Sequence, residues 1–152
     1  MVLTVLFFPV FLLSMAMVMD VGRLFEAKLL AQSAADMGAL AGVQELDMAQ
    51  LAKGRQVLVA PSAERAAERL TKENLAKSFG QGWGHVTSEV VVRVYSATAA
   101  APVHHLGDGR LLTEPTVCVV VHVPLSLVLF PGRSADVVVH ADAAVRTKRK
   151  IR

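Results

Sequence analysis

One cysteine is all that this chain of 152 residues contains, so Cys118 has no internal partner and no disulfide can brace the fold. Set in a Val-rich run, Cys118 reads as a small strand residue. Catalytic signatures are missing too. There is no nucleotide-binding glycine loop, no nucleophile elbow, no Cys/His zinc spacing and no paired-carboxylate motif. The expectation is therefore a non-enzyme with no catalytic residue, no cofactor and no metal ligand. His104-His105 with Asp108 comes nearest to a metal cluster, in a Gly-flanked loop. His122, His140 and Asp142 can share a sheet face only if two strands pair in a suitable register, and a solvated face accounts for them.

Charge is absent from residues 2–19, VLTVLFFPVFLLSMAMVM. Eighteen helical residues span about 27 Å, just enough for a hydrocarbon core of about 30 Å. Eleven of the eighteen are Leu, Phe or Val. Their summed insertion gain is about −3 to −7 kcal/mol, and no Asp, Lys or Arg opposes it. Pro9 removes one backbone donor, which membrane helices tolerate. Ser14-Met15-Ala16 could serve as a small-x-small cleavage site. The run nevertheless lacks a basic n-region and exceeds a usual signal-peptide core, so a retained anchor is expected. No Lys or Arg precedes the run, and Arg23 and Lys28 follow it among Asp20 and Glu26, so loop charge does not set its orientation.

The net charge of +3 also has a local origin. Arg146, Lys148, Arg149, Lys150 and Arg152 hold five of the sixteen basic residues. The remainder sets eleven basic against thirteen acidic residues, a net −2. No aromatic residue interleaves this tail, so base stacking has nothing to use, and nucleic acid is not an expected partner. A solvated end is the simpler reading.

Past residue 19 the helical pattern continues to Leu46 with no turn signal, which predicts one helix over residues 3–46. Ala34, Gly38 and Gly42 fall four apart on one stripe. Two interior glycines cost about 1 kcal/mol each relative to Ala, so close packing should offset them. Gly38 lies nineteen residues past Met19, about 28 Å along the axis and so outside the bilayer. The stripe is expected to pack on the protein's own sheet or on a neighbouring subunit. Asp36, in the same segment, is a candidate buried carboxylate bonded to a strand or turn. Ala34, Asp36, Gly38 and Gly42 are thus the candidate packing and assembly residues.

Gln56–Ala60 could be a short strand. Pro61 and Ser62 introduce a second helix from Ala63 to Phe79, with Ser62 as N-cap and Ala63, Ala66, Ala67 and Leu70 as its apolar face. Gly80, Gly82 and Gly84 end it. Residues 89–96 alternate, with Val90, Val92 and Val94 on one side and Glu89, Arg93 and Tyr95 on the other. Residues 116–124 and 135–145 read as buried strands, with a turn at Gly107-Asp108-Gly109. Residues 125–130 are either a strand end tucked under the helix or an exposed apolar tip. The expected class is α+β: a long membrane-anchored helix, a second shorter helix, and a small, mostly antiparallel sheet packed on the helix. Residues 1–19 form its transmembrane part, 20–46 the extramembrane continuation, 47–145 the α+β domain and 146–152 the tail.

The apolar run followed by Asp20-Val21-Gly22-Arg23-Leu24, then Ala34-Ala35-Asp36, then Ala39-Leu40-Ala41-Gly42, resembles the TadE/TadG-like family. These are minor pilin or pseudopilin-type components of tight-adherence (Flp) pilus systems. The resemblance implies a single-pass protein of the bacterial cytoplasmic membrane with its C-terminal domain on the extracytoplasmic side. It implies a role in building or secreting a pilus, with the lipid bilayer and other pilus or secretion components as partners, self-association among them, and no catalytic residues. One departure stands out. Prepilin members carry a basic leader, a Gly cleavage site and a Glu five residues into the mature chain, whereas Val5 holds the nearest equivalent place here. An unprocessed member and a start lying further upstream both remain open. The competing class is a membrane-tethered surface adhesin or sensor that binds an external ligand.

Overall fold

The computed structural model describes residues 2–80, 83, 87–130 and 132–145, with side chains from Phe7 onward. The basic tail at 146–152 lies outside the described residues, as do Gly82 and Gly84. One helix, α1 (Val2–Gly42), runs forty-one residues, about 61 Å, with Pro9 inside it and no break at residues 20–23. It stops four residues short of the expected Leu46. Leu46 instead forms a bridge with Leu58, Asp47 N donates to Val57 O (2.8 Å) and Val59 N donates to Glu45 O (2.9 Å). Those bonds occupy backbone groups that a longer helix would have used, and they are all that forms of the strand expected at 56–60.

A short helix that the sequence did not announce, α2 (Met48–Leu51), follows. Asp47 caps it, its Oδ1 accepting from Ala49 N (2.8 Å) and Gln50 N (3.1 Å). The next helix, α3 (Ala60–Phe79), starts three residues before the expected Ala63, with Pro61 in its first turn. Ser62 is not its cap. The hydroxyl donates to Glu45 Oε2 (2.6 Å), tying the start of α3 to the end of α1. The buried stripe of α3 is Ala63, Ala67, Thr71, Leu75 and Phe79, while Ala66 and Leu70 are only half-buried. Thr71 is fully buried, and its hydroxyl is satisfied within the helix by Ala67 O (2.8 Å).

The main sheet has three antiparallel strands in the order β1 (Glu89–Tyr95), β4 (Thr116–Ser126), β5 (Ser134–Ala144). A second, two-stranded sheet pairs β2 (Val103–His104) with β3 (Leu111–Leu112). Both long helices lie on one face of the main sheet, α1 over β5 and β4, α3 over β1 and β4. The core is divided by size. The sheet supplies Val117, Val119, Val121, Val123 and Val139; the helices supply mostly alanine, including Ala27, Ala31, Ala35 and Ala39 from α1. Small side chains on the helices let the branched sheet residues reach in between two closely packed backbones. On the other face, the β2–β3 hairpin covers Tyr95, Ala97, Leu112 and Cys118. Tyr95 does point away from the helices, as the alternation predicts, yet it is buried beneath this hairpin.

Candidate functional site

The small-residue stripe of α1 faces α3. A Cβ added to Gly38 would collide with Thr71 Oγ1 and stand 2.9 Å from Ala67 O. One on Gly42 would meet Val117 Cγ1 at 2.9 Å and Ala63 O at 3.2 Å. Gly42 therefore meets both the sheet and α3, while the atoms nearest Gly38 all belong to α3. Ala34 is buried beside them. Asp36 is a correction. Two residues on from Ala34, about 200° around the helix, it is exposed and accepts from Gln32 Nε2 (3.0 Å) on its own helix. Gln32 Nε2 also donates to His140 O (3.0 Å), so Gln32, not Asp36, reaches the sheet.

Asp20 takes the buried-carboxylate role instead. It is 7% exposed, and its two oxygens accept from Val128 N (2.7 Å) and Leu129 N (2.8 Å) in the loop joining β4 to β5. A hydrogen bond to a charged acceptor contributes about 1.5–3 kcal/mol where water is excluded, and less at part-buried amides such as these two. The loop turns through Gly132, whose φ of +87° favours glycine, and presents Val128 and Phe130 to solvent. Near the same level the Arg23 guanidinium sits over Trp83 (5.4 Å), and Trp83 meets Phe79 edge-on (5.3 Å). One end of the domain is thus fastened to α1 where the uncharged run stops. Further out, Val21, Phe25 and Leu29 stay exposed at four-residue spacing, and Val21 and Phe25 border an apolar groove closed by Val137 and Val138.

The outer sheet face carries the titratable groups. Register aligns Cys118 with Asp142 and Val120 with His140, so His122, His140 and Asp142 do share that face. His122 Nδ1 lies 3.1 Å from Asp136 Oδ2. From the hairpin turn His105 is buried above Cys118, with Nδ1 2.8 Å from Asp108 Oδ1 and Nε2 3.4 Å from Asp142 Oδ1. Arg110 Nη2 holds the other Asp142 oxygen (2.8 Å). His104 stays outside the group, beside Gly109 O. Burial pushes the Cys118 thiol up to about 12, helped by the neighbouring Asp142. The backbone amide of Arg110 holds the Asp108 carboxyl below its ordinary range, with His105 and Arg110 adding to the effect. No spacing in the sequence joins His105, Cys118 and Asp142. Only the register of β4 with β5 and the fold-back of the hairpin do so.

Of the described residues, α1 alone forms a helix long and apolar enough to cross a membrane, and almost none of its most apolar stretch is covered by protein. Residues 1–45 match the Flp pilus-assembly TadE/G-like family model. No curated protein and no solved structure matches the chain. The TadE/G-like match ends three residues past the last turn of α1. It therefore takes in the apolar run, Asp20 and the Ala34–Gly38–Gly42 stripe, and stops before the helix and sheet that they contact.

Proposed function

We propose that this chain is a single-pass, membrane-anchored, minor pilin-like or accessory component in the assembly of a Tad/Flp pilus or a related secretion machine. Residues 1–19 lie in the bilayer and the domain stands on the extracytoplasmic side. The observation that carries the reading is the continuity of α1: one unbroken helix is bare and apolar over residues 7–19 and packed with alanine and glycine from Ala27 onward. An anchor built this way holds its domain at a fixed height and angle. The TadE/G-like match over the same residues supports a pilus-related role. The exposed Val21, Phe25 and Leu29 then offer an apolar strip to another component, just beyond the membrane.

In this reading the β4–β5 loop has a place as well. Its amides are bonded to Asp20, the first residue past the apolar run, so Val128 and Phe130 sit at headgroup level. Apolar tips are favourable there. The test is protease protection on intact and permeabilised cells, combined with a photo-crosslinker at Phe25. Protection of the domain in intact cells and its digestion after permeabilisation of the outer envelope fit the proposal, as does crosslinking to other pilus-assembly proteins. A domain digested only when the cytoplasm is opened would sink the orientation. A crosslinker that captures lipid alone would sink the assembly role of that strip. An adhesin or sensor would instead place its ligand on the outer sheet face, over the pocket between His122, His140 and the hairpin.

A further inference from the structure

We propose that His105, Cys118 and Asp142 form a binding site for one divalent cation of the zinc type. The starting observation is an unpartnered atom. His105 is 6% exposed, and its Nε2 has no hydrogen-bond partner among the described residues. Its Nδ1 lies 2.8 Å from Asp108 Oδ1 and 3.3 Å from the backbone amides of Gly107 and Asp108; in the tautomer proposed, Nδ1 donates to the carboxylate, the nearest of the three. In the neutral ring Nε2 is then a free lone pair. Metal-bound histidines are usually oriented in this way, by a carboxylate on the far ring nitrogen.

Two further donors lie close to that nitrogen. His105 Nε2, Cys118 Sγ and an Asp142 carboxylate oxygen all lie within 4.8 Å of one another, and Nε2 to Asp142 Oδ1 is 3.4 Å. The edge of a tetrahedron with zinc-type bonds is about 3.3–3.8 Å. Closing the remaining gap, at most about 1.5 Å on that geometry, takes small shifts of the three side chains and of the hairpin carrying His105. The nitrogen–sulfur–oxygen set suits Zn²⁺ or Co²⁺ and argues against Ca²⁺ and Mg²⁺, which take oxygen ligands.

Two anionic donors offset the dication, with the Arg93 guanidinium lining the same pocket. Binding breaks the Cys118 S–H bond, releases the proton to solvent and forms a metal–sulfur bond. The dication then faces one thiolate and one carboxylate. Arg110 engages the second Asp142 oxygen and leaves Oδ1 for the ion, and Asp108 offsets Arg110. A fourth position opens into a pocket of about 210 Å³ lined by Tyr95, His122 and His140, with room for water or an external ligand. Because the three donors come from the hairpin turn, β4 and β5, the ion would pin the hairpin to the sheet.

The decisive probe is Co²⁺ alone, titrated into the full chain in detergent after purification without a histidine tag. The wild type should show a thiolate-to-cobalt charge-transfer band that saturates at one Co²⁺ per chain and is displaced by Zn²⁺. Cys118→Ser should lose the band. Asp142→Asn, at the accessible rim where folding is least at risk, should bind Co²⁺ at least tenfold more weakly. A wild type with no charge-transfer band in excess Co²⁺ would overturn the site and leave a histidine flanked by two carboxylates. Wild-type affinity in Asp142→Asn would overturn the three-donor assignment.

Discussion

The two halves of α1 are apolar for different reasons. Over residues 7–19 the helix carries large side chains such as Phe7, Phe8, Phe11 and Leu13, each more than 60% exposed to whatever surrounds it. From Ala27 onward the buried residues are Ala27, Ala31, Ala34, Ala35, Gly38, Ala39 and Gly42, with hardly a methyl group among them beyond Cβ. Lipid rewards area, so the first half is bulky. A neighbouring backbone rewards closeness, so the second half is small. Mean hydropathy alone merges the two into one long run, and side-chain volume separates them.

Substitutions at glycine and at the boundary test that division. The largest effect is expected from Gly38→Leu, which drives a side chain into Thr71 and the Ala67 carbonyl. Overpacking of this kind should cost about 3 kcal/mol and show as a large fall in the thermal midpoint of the domain. A midpoint equal to wild type would mean that the outer half is not packed as described. Next comes Asp20→Ala, which strips two amides of a charged acceptor and should cost about 2 kcal/mol. Hydrogen exchange at Val128 and Leu129 should accelerate while the amides of β4 remain protected. Phe130→Asp should leave the folded domain intact in detergent but remove about 1 kcal/mol of interfacial affinity. A lipid-phase quencher read by a probe at residue 128 would report it, and unchanged quenching would place the tip away from the bilayer. The smallest effect is expected at Gly22, where an added Cβ would have nothing within 4 Å. Gly22→Ala should stabilise the helix by about 0.5–1 kcal/mol, the reverse of Gly38, although both are helical glycines beyond the apolar run.

Local pattern carried much of the architecture. The single helix is legible as an uncharged run that continues without a turn signal, the second helix and β1 as periods of 3.6 and 2, and the two long strands as β-branched runs. Features that depend on distant partners were not readable that way. Ser62 looks like an N-cap until Glu45, seventeen residues earlier, comes within reach. Asp36 looks like the buried carboxylate because it sits among alanines, yet helical phase turns it outward and Asp20 performs that function. Thr71 breaks the expected apolar face because its hydroxyl bonds within its own helix and so behaves as a small core side chain. His105, Cys118 and Asp142 are thirteen and twenty-four residues apart along the chain, and only strand register and the fold-back of the hairpin unite them.

The fastening at Asp20 has a mechanical consequence. Gly22 carries no side chain, and a Cβ there would have nothing within 4 Å, so α1 has no packing support at that residue. It is bracketed by the two amide bonds to Asp20 on one side and by the Arg23–Trp83 contact on the other. Flexure there would have to strain the loop after β4 and the end of α3 together, so the clamp works as a splint. A load applied to the sheet is then delivered along the helix axis to the membrane, as tension in a rod whose joint has been locked.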